Sequence, residues 1–123
     1  MAEFVYLNVN PDKLKESDCV TRAISLATGY PYTEIRKKLF HTAKLLNCEK
    51  LCVCCYRHLI EDVLNCQPVF CEGLSVEMFA DRNPLGIFLV RMGGHISTII
   101  DGRIYDIWDC RKQTLTDAWL VEL

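Results

Sequence analysis

His95-Ile-Ser-Thr-Ile-Ile-Asp-Gly-Arg-Ile-Tyr-Asp106 decides how this chain is read. Two apolar runs with strand-type residues flank Asp101-Gly102, and that dipeptide favours the two positive φ angles of a tight hairpin turn. With Asp101 and Gly102 as the loop, Ile100 pairs with Arg103, Ile99 with Ile104 and Ser97 with Asp106, and His95 stands opposite Trp108. Alternation then puts His95, Ser97, Asp106 and Trp108 on one face. His95 and Asp106 become diagonal neighbours, roughly 7–8 Å apart between backbones. Tyr105 and Asp109 point the other way, so this register selects Asp106 as the carboxylate partner of His95; a bulge or longer loop would reverse the choice. A carboxylate on an otherwise apolar strand needs a partner, and an imidazole supplies one.

Upstream, a run Gly86 to Met92 reads as a further strand, and Ala118 to Val121 as a last one. Pro68 to Cys71 is a short strand candidate, and Ser75 caps a brief helix through Phe79. The N-terminal half has a different texture. Ser17-Asp18 is an N-cap signal, with either side chain able to accept from the first free N–H groups. Val20, Ala23, Ile24 and Ala27 form one helical face that Gly29 terminates. A second helix begins at Pro31 and Thr33, with Ile35, Leu39, Ala43 and Leu46 as its stripe, and a third pattern runs from about Glu49 to Leu64. Residues 1–16 are irregular or extended. Helices first and antiparallel strands second make an α+β fold, a single domain over 1–123.

Half of the 123 residues are apolar, and the formal charge is −2 with both signs interspersed. That balance gives no footprint for nucleic acid or an anionic membrane. No apolar run approaches the roughly 20 residues of a membrane span, and the first residues lack the pattern of a signal peptide. A cytoplasmic location is expected. On that expectation the eight cysteines, 19, 48, 52, 54, 55, 66, 71 and 110, are reduced thiols.

Cys19 falls in the first turn of its helix, where free N–H groups and the macrodipole favour a thiolate. A small buried hydrophobe is the other reading for a free cysteine. With His95 and Asp106 it makes a nucleophile, a base and the base's orienter. Cys48, Cys52, Cys55, Leu59 and Cys66 share a helical face and read as core positions. Cys54 and His58, four apart, have a metal-ligand spacing, but a zinc site would need two more ligands, with Cys71 or His41 the candidates; packed, reduced cysteines with no metal are the expectation. Ser97 is a possible cleft residue, and Arg22 is either a surface charge or a substrate contact.

Asp18-Cys19 at a helix start, Gly94-His95 opening an apolar strand and Tyr105-Asp106-Ile107-Trp108 after a tight hairpin resemble papain-like cysteine peptidases. The likeness is to small members from phages and mobile elements, near the bacteriocin-leader peptidase branch. It spans residues 17–29 and 86–109, and elsewhere only the order of elements. The resemblance implies a minimal papain-like fold, with N-terminal helices on a C-terminal antiparallel sheet. It implies Cys19 as nucleophile, His95 as general base and acid, Asp106 as orienter and Trp108 as a shield over the His95 contact. No cofactor is implied, and the substrate is a protein or peptide. The Gly-Ser-Cys-Trp type of signature is absent. The oxyanion-hole glutamine also lacks a counterpart: the first Gln is Gln67, Lys13 occupies the usual spacing, and Asn10 is the nearest upstream amide. Three functions stay open: peptide or isopeptide hydrolysis; acyl transfer or deamidation by the same triad; and a catalytically weak binding module that modulates a host protein.

Overall fold

The computed structural model describes residues 2–12, 18–49 and 52–122. Among them are four α-helices and six strands in one mixed sheet, an α+β architecture. In chain order they are β1 (Glu3–Tyr6), α1 (Cys19–Thr28), α2 (Tyr32–Leu46), α3 (Val53–His58), β2 (Gln67–Pro68), α4 (Val76–Arg82), β3 (Ile87–Met92), β4 (His95–Ile100), β5 (Arg103–Asp106) and β6 (Asp117–Val121). A π-helical turn, Leu59–Val63, continues α3.

The strands lie in the order β1-β5-β4-β3-β6-β2. Asp101 and Gly102 take φ of 49° and 78°, and the β4–β5 ladder pairs Ile100 with Arg103 and Ile99 with Ile104. The hairpin register is therefore the one its turn dipeptide predicts. Two expectations are corrected. The second strand of the hairpin, β5, stops at Asp106 rather than continuing to Trp108, because the Ile107 N–H turns back onto the Asp106 carboxylate at 2.7 Å. The sheet is also not wholly antiparallel: β1 joins its edge in parallel with β5, pairing Phe4 with Ile104 and Tyr6 with Asp106.

Both faces of the sheet are covered, and the strand period of two divides the apolar side chains between two cores. Leu89, Ile96, Trp119 and Val121 pack with Ile24, Ile35, Leu39, Leu59 and Ile60 from the helices of the N-terminal half. Phe88, Val90, Ile99, Ile104 and Ala118 pack with Val76, Phe79 and Ala80 of α4 on the other side. Thr98 fastens the first layer, donating to the Ala23 carbonyl of α1 at 2.8 Å.

The helices begin and end for local reasons. Gly29 at φ 79° closes α1, its N–H reaching the Ser25 carbonyl, and Pro31 offers its carbonyl to Glu34 and Ile35 at the start of α2. Ser75 caps α4 by accepting from Met78, and α4 runs past Phe79 to Arg82. Asp18 occupies the N-cap of α1 without making a capping bond through its side chain. Ser17 and Lys13 lie outside the described residues. The third helix starts at Val53, later than the pattern predicts, which leaves Cys52 exposed while Cys55 and Cys66 are buried. Leu46 is exposed at the end of its stripe. No helix among the described residues is long and apolar enough to cross a membrane.

Candidate active site

Helix α1, strand β4 and the end of β5 converge on one corner of the sheet, and three side chains meet there. Cys19 opens α1, His95 opens β4 and Asp106 ends β5. His95 Nε2 lies 2.6 Å from Asp106 Oδ2. Asp106 is held below the usual carboxylate range: burial alone would raise it, but the His95 hydrogen bond and charge, Ser97 and the Ile107 N–H outweigh that cost. An ionised carboxylate only accepts, so Nε2 carries the proton and Nδ1 is the nitrogen left for Cys19.

Cys19 and His95 shift each other in opposite senses. Burial would raise the Cys19 thiol, but the hydrogen bond with His95, the backbone N–H of Ile96 and the positive charges of His95 and Arg22 lower it. For His95, burial disfavours the cation, while hydrogen bonds to Asp106 and Cys19 and both their charges push the ring up to about 9. Both shifts favour a thiolate beside an imidazolium over the neutral pair. The neutral thiol has an alternative acceptor in the Gly94 carbonyl, but at 4.0 Å that contact is long. Trp108 stands edge-on to His95, ring centroids 5.0 Å apart, and remains half-exposed.

Arg22 is buried rather than on the surface, one turn along α1 from Cys19. Its Nε donates to Asp18 at 2.6 Å and its Nη1 to Asp106 at 3.2 Å. Asp18 accepts further from Tyr32 at 2.8 Å and from Asn10 at 3.0 Å. This explains the missing cap, since the carboxylate is committed to a buried network instead. The Asp18–Arg22 spacing of four on a helix is the sequence signal that could have exposed the pair; the partner across the sheet has no such signal.

Asn10 is held differently from the expectation that it would face a developing oxyanion. It is buried, and its amide nitrogen donates to Asp18 and to the Tyr32 hydroxyl, which uses both of its N–H groups. The first turn of α1 remains the donor-rich surface next to the sulfur. Behind Cys19 is a recess of about 10 Å³ lined in part by Leu7, Ala23, Ile96, Ser97 and Tyr105. That is roughly room for one water, so a substrate must approach from the open side, where Gly93 and Gly94 are exposed.

No family model, curated protein or solved structure matches this chain. Its chemistry therefore has to be read from the corner itself.

Donor atoms of His95, Asp106 and Cys110 lie within 4.8 Å of one another, a grouping that a metal ion can use. They are already committed to one another here: His95 and Asp106 share a short hydrogen bond, and Cys110 sits 4.0 Å from the same Asp106 oxygen. Burial, helped by the nearby Asp106 charge, pushes the Cys110 thiol up to about 12. The metal reading of Cys54 and His58 meets separate partners too. His58 pairs with Asp62 at 2.9 Å, and Cys71 is buried in the core on the opposite face of the sheet.

Proposed function

We propose that this protein is a cysteine hydrolase that cleaves a peptide or isopeptide bond, on a minimal papain-like arrangement of helix and sheet. The observation that carries the reading is the convergence of Cys19 at the start of α1 with His95 at the start of β4, whose ring Asp106 holds at 2.6 Å; the lowered thiol and raised imidazole agree with it. A thiolate at a helix mouth is a nucleophile without further activation. It attacks the carbonyl carbon, and the N–H groups of the first turn of α1 face the developing oxyanion. His95 gives its proton to the leaving amine, producing a thioester on Cys19. The ring then takes a proton from water, which releases the acid and regenerates the thiolate. Asp106 keeps the ring oriented and its charge stabilised through both steps.

The substrate is a protein or peptide, and the recess beside the sulfur, roughly the size of one water, does not admit one of its side chains. No cofactor enters these steps. The order of elements, a cysteine heading a helix and a histidine and carboxylate on the following strands, supports the papain-like assignment, as does Trp108 edge-on to His95.

The test is a peptide library incubated with the parent protein, Cys19→Ala and His95→Ala, with new termini read by mass spectrometry. Cleavage by the parent and by neither variant is expected. A peptide carrying an electrophilic carbonyl at its C-terminus should modify Cys19 ahead of the other seven thiols when the reagent is limiting and the labelled peptides are mapped. No cleavage together with labelling spread over other cysteines would sink the proposal.

A further inference from the structure

Outside the corner just described, thiols gather at the start of α3. Cys52 and Cys54 are both exposed, and their sulfurs lie 2.9 Å apart. We propose that Cys52 and Cys54 are a second reactive thiol centre, which exchanges with small-molecule disulfides and closes to an intramolecular disulfide. This inference does not depend on the peptidase reading.

Geometry separates this from a metal site. Two thiolates bound to one zinc at about 2.3 Å stand roughly 3.8 Å apart. The Cys52 and Cys54 sulfurs are already closer than that, and a disulfide bond is about 2.05 Å. The two positions also differ in character. The two thiols share a hydrogen bond in which either sulfur can be the donor; the contact lowers Cys52, while Cys54 is pushed up to about 11 by Cys52 first and then by Cys48. One thiol is thereby disposed to attack and the other to stay protonated until it is needed. Cys55, next along the chain, is buried with its thiol toward the Leu39 carbonyl at 3.6 Å, and Cys48 interacts with both Cys55 and Cys54.

The reaction balances with an external disulfide RSSR as the oxidant. The Cys52 thiolate attacks one sulfur of RSSR, forming a mixed disulfide and releasing RS⁻. Cys54 loses its proton and attacks the Cys52 sulfur, which forms the Cys52–Cys54 bond and releases the second RS⁻. The protein loses two electrons and two protons, and RSSR becomes two RSH.

Reduced protein would be incubated with glutathione disulfide, alkylated and mapped; cleavage after Lys50 and Arg57 isolates the peptide 51–57. The expected product from the parent is that peptide lacking two hydrogens and alkylated only at Cys55. Cys54→Ser should retain glutathione on Cys52, because nothing resolves it. Cys52→Ser should likewise fail to give the product lacking two hydrogens, because the Cys52–Cys54 bond cannot form. Both positions are exposed, so the variants should melt with the parent, and a thermal scan checks this. Glutathione retained on the parent, an unmodified 51–57 peptide, or stoichiometric metal that must be chelated before exchange occurs would each overturn the proposal.

Discussion

Arg22 and Asp106, 84 residues apart in sequence, lie 3.2 Å apart with both side chains buried. The guanidinium holds one oxygen of the carboxylate and His95 holds the other, so Asp106 is fixed from two sides while Arg22 is itself fixed by Asp18. The corner is one connected network from Asn10 and Tyr32 through Asp18, Arg22 and Asp106 to His95 and Cys19. Its cost is three buried charges, and its return is an imidazole whose position is set by fixed partners.

Arg22→Met removes the cation that two buried carboxylates share. The expected loss is about 3–5 kcal/mol of stability, as for other buried pairs broken from one side. Arg22→Lys keeps the charge but not the fork that reaches both acids, and should fall between the two. Urea unfolding measures both; a Met variant within 1 kcal/mol of the parent, about the worth of an exposed pair, would contradict a buried role.

Cys19 and His95 titrate as a pair, and the window in which thiolate and imidazolium coexist sets the pH dependence of hydrolysis. Turnover should rise as the lowered Cys19 ionises and fall as His95 loses its proton near 9. Asp106→Asn takes away the charge that holds the ring up. The alkaline limb of turnover should then move to lower pH, while alkylation of Cys19 by iodoacetamide needs higher pH than in the parent. Each unit of either movement is about tenfold in the population concerned.

The same shift has a stability consequence. Because His95 is raised above its usual 6.5, its contribution to folding is fully present below about 6.5 and is lost as pH rises through about 9. Asp106 is lowered, so its contribution is present above its ordinary value of 3.8 and is lost as pH falls through the lower folded value. Cys19 is lowered and contributes the opposite slope over the same range, so the comparison is made by chemical denaturation on Cys19→Ala, where adding His95→Gln should flatten the decline between pH 6.5 and 9. Parallel curves would count against the charged ring.

Trp108→Ala exposes the edge of His95 to water while removing a side chain that is already half-exposed. Melting should move little, and reactivity of Cys19 at neutral pH should drop several-fold as water competes for the ring and its carboxylate. A large stability loss with unchanged reactivity would make Trp108 a packing residue instead.

Thr98→Val deletes the hydroxyl that ties β4 to the Ala23 carbonyl, one helical turn beyond Cys19. The expected cost is about 0.5–1.5 kcal/mol, a single buried hydrogen bond. The cleavage rate measured on the same variant separates anchoring of α1 from chemistry, and should change less than in Asp106→Asn.

Local rules made the hairpin and the helices readable along the chain. Positive φ at Asp101 and Gly102 follows from their covalent structure, and it sets every rung from Ile100–Arg103 onward. The α1 stripe of Val20, Ala23, Ile24 and Ala27 is buried as its spacing requires. His95, Asp106 and Cys19 were open to the same reasoning, because alternation and a helix start place them from near neighbours. The parallel pairing of β1 with β5, the burial of Arg22 against Asp106 and the donation of both Asn10 N–H groups to Asp18 and Tyr32 were decided by the tertiary structure. Each depends on how far a side chain or strand edge travels when distant segments collapse together, and residue spacing carries no record of that distance.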